Sequence, residues 1–255
     1  MLLDNKTQTE DNQYYKVFDF LRNNTEQGKL DLVSGFFSVN ALALMREEME
    51  QVEKFRMILG NLIQEDSQEN KIIDLLNGNA GIENTLSLSE AAKKAVEFLE
   101  QDKVVIKNIQ RNFCHAKTYI YSDKDTRKSY RIIGSSNLTD AGLGLRDSSN
   151  VELNTACHSE DNDFRELKKW FQYQWEKVAS DKIELPNKGK IKVNVKEYII
   201  ELIKNLFKPY DPIDLYYKVL YELFKEDLLS LSLDADFKRE IEHLEVTEIY
   251  RTLYP

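Results

Sequence analysis

Apolar residues recur along this chain in two rhythms, and the two alternate. Tyr14, Val17, Phe18 and Leu21 fall at helical spacing, predicting a helix over 14–21. The run from Leu30 to Phe37 predicts a buried strand closing on Ser34-Gly35-Phe36-Phe37-Ser38. A helix is expected over 41–52, with Arg46, Glu47 and Glu48 on its wet side, then a strand over 55–59. Residues 61–89 are polar, with helical fragments and an Asn77-Gly78 turn. A clear helix opens at Ser89 or Glu90 and runs to about Glu100.

Three strands are expected next, over 104–107, 113–121 and 130–133. The charged segment 122–129 joins the last two as a hairpin tip. A further strand is expected over 150–156, and then a helix over 161–178 whose core face carries Phe164, Leu167, Trp170, Phe171 and Trp175. Strands alternating with helices predict an α/β sandwich, a mixed β-sheet flanked by helices. The tract Leu185-Pro186-Asn187-Lys188-Gly189-Lys190 reads as a boundary, so one domain is expected over 1–185 and a mainly helical segment over 186–255. In that segment helices are expected over 195–207 and 212–224, separated by Pro209 and Pro212.

The chain has 255 residues, is 42% hydrophobic and carries a net charge of −9. It is long enough to bury a core without staples. An acidic protein is by default a poor ligand for nucleic acid, whose binding is driven by Lys and Arg. Residues 101–150 depart from that average, with nine Lys or Arg against five Asp, a local +4. A positive field of this kind can steer a phosphate, and Lys124, Arg127 and Lys128 of the hairpin are candidate contacts to a polyanion. The two cysteines, Cys114 and Cys157, have no metal-ligand spacing and read as inert buried thiols. No metal or other cofactor is expected. The polar start and the lack of a long apolar run argue against a signal peptide or a membrane span, and for a reduced, cytoplasmic protein.

The basic window also holds the candidate chemistry. On a strand, side chains alternate between faces, so His115, Lys117, Tyr119 and Tyr121 share one face, with Cys114, Ala116, Thr118 and Ile120 on the other. Next comes Ile132-Ile133-Gly134-Ser135-Ser136-Asn137, an apolar strand ending in a glycine that lets backbone approach a ligand and in small donors suited to phosphate oxygens. In Asn150-Val151-Glu152-Leu153-Asn154-Thr155 the polar residues alternate with an expected core face of Val151, Leu153 and Thr155. Glu152 can accept a hydrogen bond from one imidazole nitrogen, freeing the other. The set supplies a nucleophile, a fixed cation, neutral donors and an orienting carboxylate.

His-x-Lys followed by Gly-Ser-x-Asn resembles the signature of the phospholipase D superfamily over roughly residues 30–180. The resemblance implies attack on phosphorus by His115, a phosphohistidine intermediate, and a phosphate held by Lys117 and Asn137, while Gly134, Ser135 and Glu152 join the candidate site on the reading of the residues above. Ser38, Tyr119, Ser136 and Asn150 are candidate lining residues. The family's aspartate five residues after the lysine is Ser122 here, followed by Asp123 and Asp125. The motif occurs once. His158 and His243 lack the lysine and read as structural, so the second imidazole that the family uses to protonate the leaving oxygen must come from another copy. A two-fold homodimer with two His115 side chains at one phosphate is therefore expected.

The Ser34–Ser38 strand end, the tail Asp211-Pro212-Ile213-Asp214-Leu215-Tyr216 and the ending 249–255 are also similar to the phospholipase-D-like domain preceding some bacterial superfamily-two helicases of the Swi/Snf type. No phosphate-binding Gly-x-x-x-x-Gly-Lys-Ser/Thr loop is present, so that reading places the ATPase motor outside this chain. Three functions compete: a DNA nuclease, a non-catalytic DNA-docking module of such a helicase, and a lipid phosphodiesterase or phospholipid synthase. Chelator-resistant cleavage, salt-sensitive binding without cleavage, and liposome binding would separate them.

Overall fold

The computed structural model describes residues 1–6, 15–60, 82–109, 114–146, 150–185 and 191–206, with isolated residues between 213 and 224. Residues Met1–Phe207 form one compact unit. A second unit, Lys208–Pro255, carries the few isolated residues. The expected Asn77-Gly78 turn, residues 186–190, most of the helix expected over 212–224, His243 and the ending 249–255 lie outside the described residues.

Among the described residues, eight strands form one mixed sheet in the order β2-β1-β8-β7-β6-β3-β4-β5. The strands are β1 (Leu2–Asp4), β2 (Tyr15–Lys16), β3 (Lys29–Ser34), β4 (Lys54–Leu59), β5 (Val104–Asn108), β6 (Thr118–Ser122), β7 (Tyr130–Gly134) and β8 (Leu153–His158). β3, β4 and β5 run parallel, while β6 lies antiparallel to β3 and begins the meander β6-β7-β8. The expected mixed sheet flanked by helices is thus present.

Period-two alternation sorts the sheet into two faces. Leu30, Leu32, Tyr119, Tyr121, Tyr130, Ile132 and Ala156 join the larger core with α1 (Val17–Asn24), α2 (Val39–Glu48), α3 (Ile82–Leu99) and α6 (Val195–Leu206). Val33, Ile58 and Ile120 face the other way, against Phe164 and Phe171 of α5 (Asn162–Tyr173) and Trp175 of the π-helical turn that follows. Within this second layer Arg56 makes a fork to Asp31, 2.6 and 2.7 Å, and its guanidinium lies over Phe171 and Trp175.

The sequence missed β1 and β2. Three and two residues show no periodicity, and β1 is fixed by pairing with β8 about 150 positions away, Leu3 opposite Asn154. Beyond residue 185 the chain returns: β9 (Lys182–Leu185) pairs with β10 (Ile191–Asn194), and Val195, Ile199 and Ile203 of α6 enter the larger core.

β8 also corrects the expected burial. Asn154 is 1% exposed, whereas Val151 and Leu153 are 71% and 57% exposed and Thr155 is exposed. The alternation is as expected, but the helical cover is not. The layer of α5 covers Val33, Ile58 and Ile120, leaving the β1-β8-β7 part of that face open.

Candidate active site

Strand direction brings the candidates to one end of the sheet. β3 and β7 both finish there, at Ser34 and Gly134, and β6 and β8 begin there, at Thr118 and Leu153. Residues 114–117 are an extended lead-in to β6 rather than part of the ladder, and Phe113 lies outside the described residues. His115 is exposed at this end. Lys117, two positions along, is 5% exposed, and its Nζ donates to the His115 carbonyl at 2.8 Å. Burial pulls the Lys117 ammonium below the usual lysine range, while Glu152 and then Cys114 pull it back up. Glu152 itself is half-buried just ahead of β8. Its backbone N–H is held by Asn5 Oδ1 at 2.9 Å, and Asn5 Nδ2 donates to the carbonyls of Ala141 and Asn150. Cys114 and Ala116 pack on the opposite face, as alternation requires.

The 134–137 loop is set by hydrogen bonds on both sides. Asn137 Oδ1 accepts from the N–H groups of Gly35 at 3.0 Å and Phe36 at 3.3 Å. Two amide donors on one atom identify it as the oxygen, so the Nδ2 donors belong to the other end of the side chain. Ser34 adds a second stitch, its Oγ accepting from Leu138 N–H at 2.9 Å and donating to the Phe36 carbonyl. Ser38 caps α2 through Ala41 N–H and also accepts from Asp140 N–H, both at 3.2 Å. The β3–α2 and β7–α4 loops are thereby fastened into one rim, α4 being Asp140–Leu143. Ser135 stays exposed, with Oγ accepting from Leu153 N–H at 3.0 Å.

Gly134 serves a different contact from the one expected. A Cβ there would overlap Asn154 Oδ1 and the Leu153 carbonyl, so the glycine admits β8. Its N–H is taken by the Lys117 carbonyl at 3.3 Å. Ser38, Tyr119 and Ser136, expected as lining residues, are buried beneath the rim at 4%, 1% and 0% exposure. Asn150 is exposed, and its carbonyl is held by Asn5. Asn5 and Ser34 were missed as supports. The quoted Ser34-Gly35-Phe36 run was the available signal for Ser34, and nothing local marks Asn5.

The basic hairpin does not reach this site. β6 and β7 carry its tip to the opposite end of the sheet, and its cations are paired there: Lys124 with Glu53 at 3.0 Å, Arg127 with Asp125 at 2.9 Å and Lys128 with Glu26 at 2.6 Å. Asp123, just past the position of the family aspartate, accepts from Tyr121 Oη at 2.6 Å at that far end. The phenol is pushed up to about 12, first by burial and then by this bond. His158 is exposed at the end of β8, with its ring beside those of Phe20 and Tyr130. Cys114 and Cys157 are free and half-buried. Among the described residues no group of three His, Cys, Asp or Glu is placed to share a metal ion, and no helix is long and apolar enough to cross a membrane.

An exposed histidine, a buried ammonium and an amide-stitched loop thus meet at one end of the sheet of an α/β fold. The family model described as the cardiolipin synthase, PLD-like domain matches residues 43–175, more than half of the chain, and the chain belongs to that PLD-like family. The match spans His115, Lys117, Ser135, Asn137 and Glu152. No curated protein matches the chain. Among solved structures it is similar to Nuc, a phospholipase D family member from Salmonella typhimurium, with 11% identity, 70% of this chain and 94% of that one covered, and a TM-score of 0.39. It is also similar to NucT from Helicobacter pylori (11% identity, 64% and 87% covered, TM-score 0.39). For phosphatidylserine synthase from Haemophilus influenzae the values are 15%, 90% and 46%, and 0.45.

Proposed function

We propose that this chain is a metal-independent phosphodiesterase acting on DNA, with His115 as nucleophile. The observation that carries the reading is the exposed His115 tied through its own carbonyl to the buried Lys117 ammonium. The imidazole attacks phosphorus, forming a P–N bond as the P–O bond to the leaving strand breaks. Water then attacks the phosphohistidine, giving its proton to the facing imidazole that protonated the leaving oxygen, as a new P–O bond forms and the P–N bond to His115 breaks. Lys117, Ser135 and the Nδ2 donors of Asn137 hold the non-bridging oxygens, where charge grows in the transition state. The proton for the leaving oxygen comes from His115 of a second copy.

The open β1-β8-β7 face supports that second copy. Leu2, Ile133 and Leu153 are 40%, 42% and 57% exposed, and Leu2 and Ile133 both lie opposite Thr155 on one face. Leu153 N–H is bonded to Ser135, so the apolar strip runs directly to the rim of the site.

The test is cleavage of end-labelled single- and double-stranded DNA in excess chelator. Wild type is expected to cut and His115→Ala to be inert, since the nucleophile and the general acid are lost together. Equal cleavage by both would end the proposal. Binding that weakens with salt but never yields cleavage would favour the docking-module reading instead. The helicase-linked setting rests on the Ser34–Ser38 and Asp211–Tyr216 resemblance and is tested by DNA-stimulated ATP hydrolysis in the full gene product.

A further inference from the structure

Beneath the rim lies a buried polar relay that none of the proposed chemistry uses. Ser136 is fully buried, and each of its polar atoms has a partner. Its N–H donates to Asn154 Oδ1 at 3.2 Å, its Oγ accepts from Asn154 Nδ2 at 2.8 Å, and its carbonyl accepts from Tyr119 Oη at 3.2 Å. Asn154 and Tyr119 are each 1% exposed. Burial pushes the Tyr119 phenol well above its ordinary range, so it stays a neutral donor.

The spacing gives the relay its meaning. Tyr119 of β6 is two residues past Lys117, and Asn154 of β8 is two residues past Glu152. Ser136 sits between Ser135 and Asn137. Three segments bearing candidate groups are thus locked at one serine, and Gly134 is the residue that lets Asn154 come close enough. Packing alone would be met by apolar residues at lower cost. A fully paired polar cluster fixes one geometry instead.

We propose that Asn154 and Tyr119 are positioning residues that hold the 135–137 loop in register with Lys117 for binding the substrate phosphate. The inference rests on the reading that this loop grips phosphate. The probe is inorganic phosphate, bound to the full chain and followed by calorimetry, with thermal melting to confirm folding. Tyr119→Phe removes one bond to Ser136, and Asn154→Ala removes two. Each is expected to weaken phosphate affinity by about tenfold, the scale of one or two lost hydrogen bonds. Because both act through Ser136, the double variant is expected to lose well under the hundredfold product of the singles. Restoring both partners with Asn154→Asp, whose carboxylate accepts from Ser136 N–H and Oγ–H, tests the geometry separately. It is expected to keep slow amide exchange at Ser136, which Asn154→Ala loses.

Wild-type affinity in folded Tyr119→Phe and Asn154→Ala, or losses that multiply in full, would overturn the inference and leave the phosphate reading standing. A wild type that binds no phosphate would remove that reading and this inference with it.

Discussion

Lys117 Nζ donates to the backbone carbonyl of His115 at 2.8 Å while sitting 5% exposed. A buried ammonium is costly unless its donors are used, and here one is used to hold the residue that carries the imidazole. Replacing Lys117 by Met keeps the volume and removes the charge. The variant is expected to melt at or above the wild-type temperature, yet to lose phosphate binding by about 10- to 100-fold, the worth of a charged hydrogen bond. Calorimetric melting beside phosphate titration checks both halves.

The same lysine sets an alkaline limit. Its native pKa lies below the unfolded value of 10.5, chiefly because of burial. Between the two values the unfolded chain binds more protons, so stability rises with pH there. The phosphate-binding charge behaves oppositely, being present below the native pKa and lost as pH rises through it. Phosphate affinity should therefore fall with a midpoint below 10.5, and Lys117→Arg, which stays charged, should flatten that limb. A wild-type midpoint at or above 10.5 would contradict this account.

Gly134 tests the loop from behind. Ala at this position must displace Asn154 or the Leu153 backbone. Overpacking of this kind costs about 1–3 kcal/mol. Gly134→Ala is expected to lower the melting temperature and weaken phosphate binding together, because the displaced Asn154 is the one that pairs with Ser136. A variant with unchanged melting would show that β7 and β8 have room to part.

Much of this site could be read in the sequence because it depends on local rules. Alternation placed Tyr119 and Tyr121 on the face opposite Ile120, and helical spacing put Phe164 and Phe171 in a core. The unread part depends on what covers what. Leu153 and Asn154 alternate correctly, but which is buried is decided by how far α5 extends across the sheet. The basic window surrounds the site along the chain but not in space. Two five-residue strands carry Lys124, Arg127 and Lys128 to the other end. Asn5 could not have been found, since its partners at Ala141 and Glu152 are more than 130 residues away.

Asp31 and Arg56 provide a control far from the proposed chemistry. Their fork is buried, with Asp31 3% exposed, and Arg56 Nη1 also reaches Gln172 at 3.1 Å. Removing one partner leaves a buried charge unpaired and costs about 3–5 kcal/mol. Asp31→Asn is expected to lower the unfolding free energy by that amount, read from denaturant titration, while the folded fraction keeps wild-type phosphate affinity. Loss of affinity without loss of stability would mean that the ion pair acts on the site through Cys114 and Ala116, which pack in the same layer.

The exposed strip on β7 and β8 makes the last prediction. Ile133 and Leu153 point to solvent in the single chain, so charging them should cost little, within about 0.5 kcal/mol, if each chain stands alone. If two copies meet there, Ile133→Lys with Leu153→Lys buries four like charges at the two-fold axis and drives the pair apart. Light scattering is expected to give a dimer for wild type and a monomer for the variant, with melting of the monomer little changed. Cleavage should fall with the dimer, because each half-site retains its nucleophile but loses the facing general acid, a deficit of about 10²–10⁴-fold. Mixing the charged variant with a copy bearing Glu at both positions should re-form the dimer and restore turnover. A monomeric wild type that cleaves at full rate would place the second proton donor within this chain.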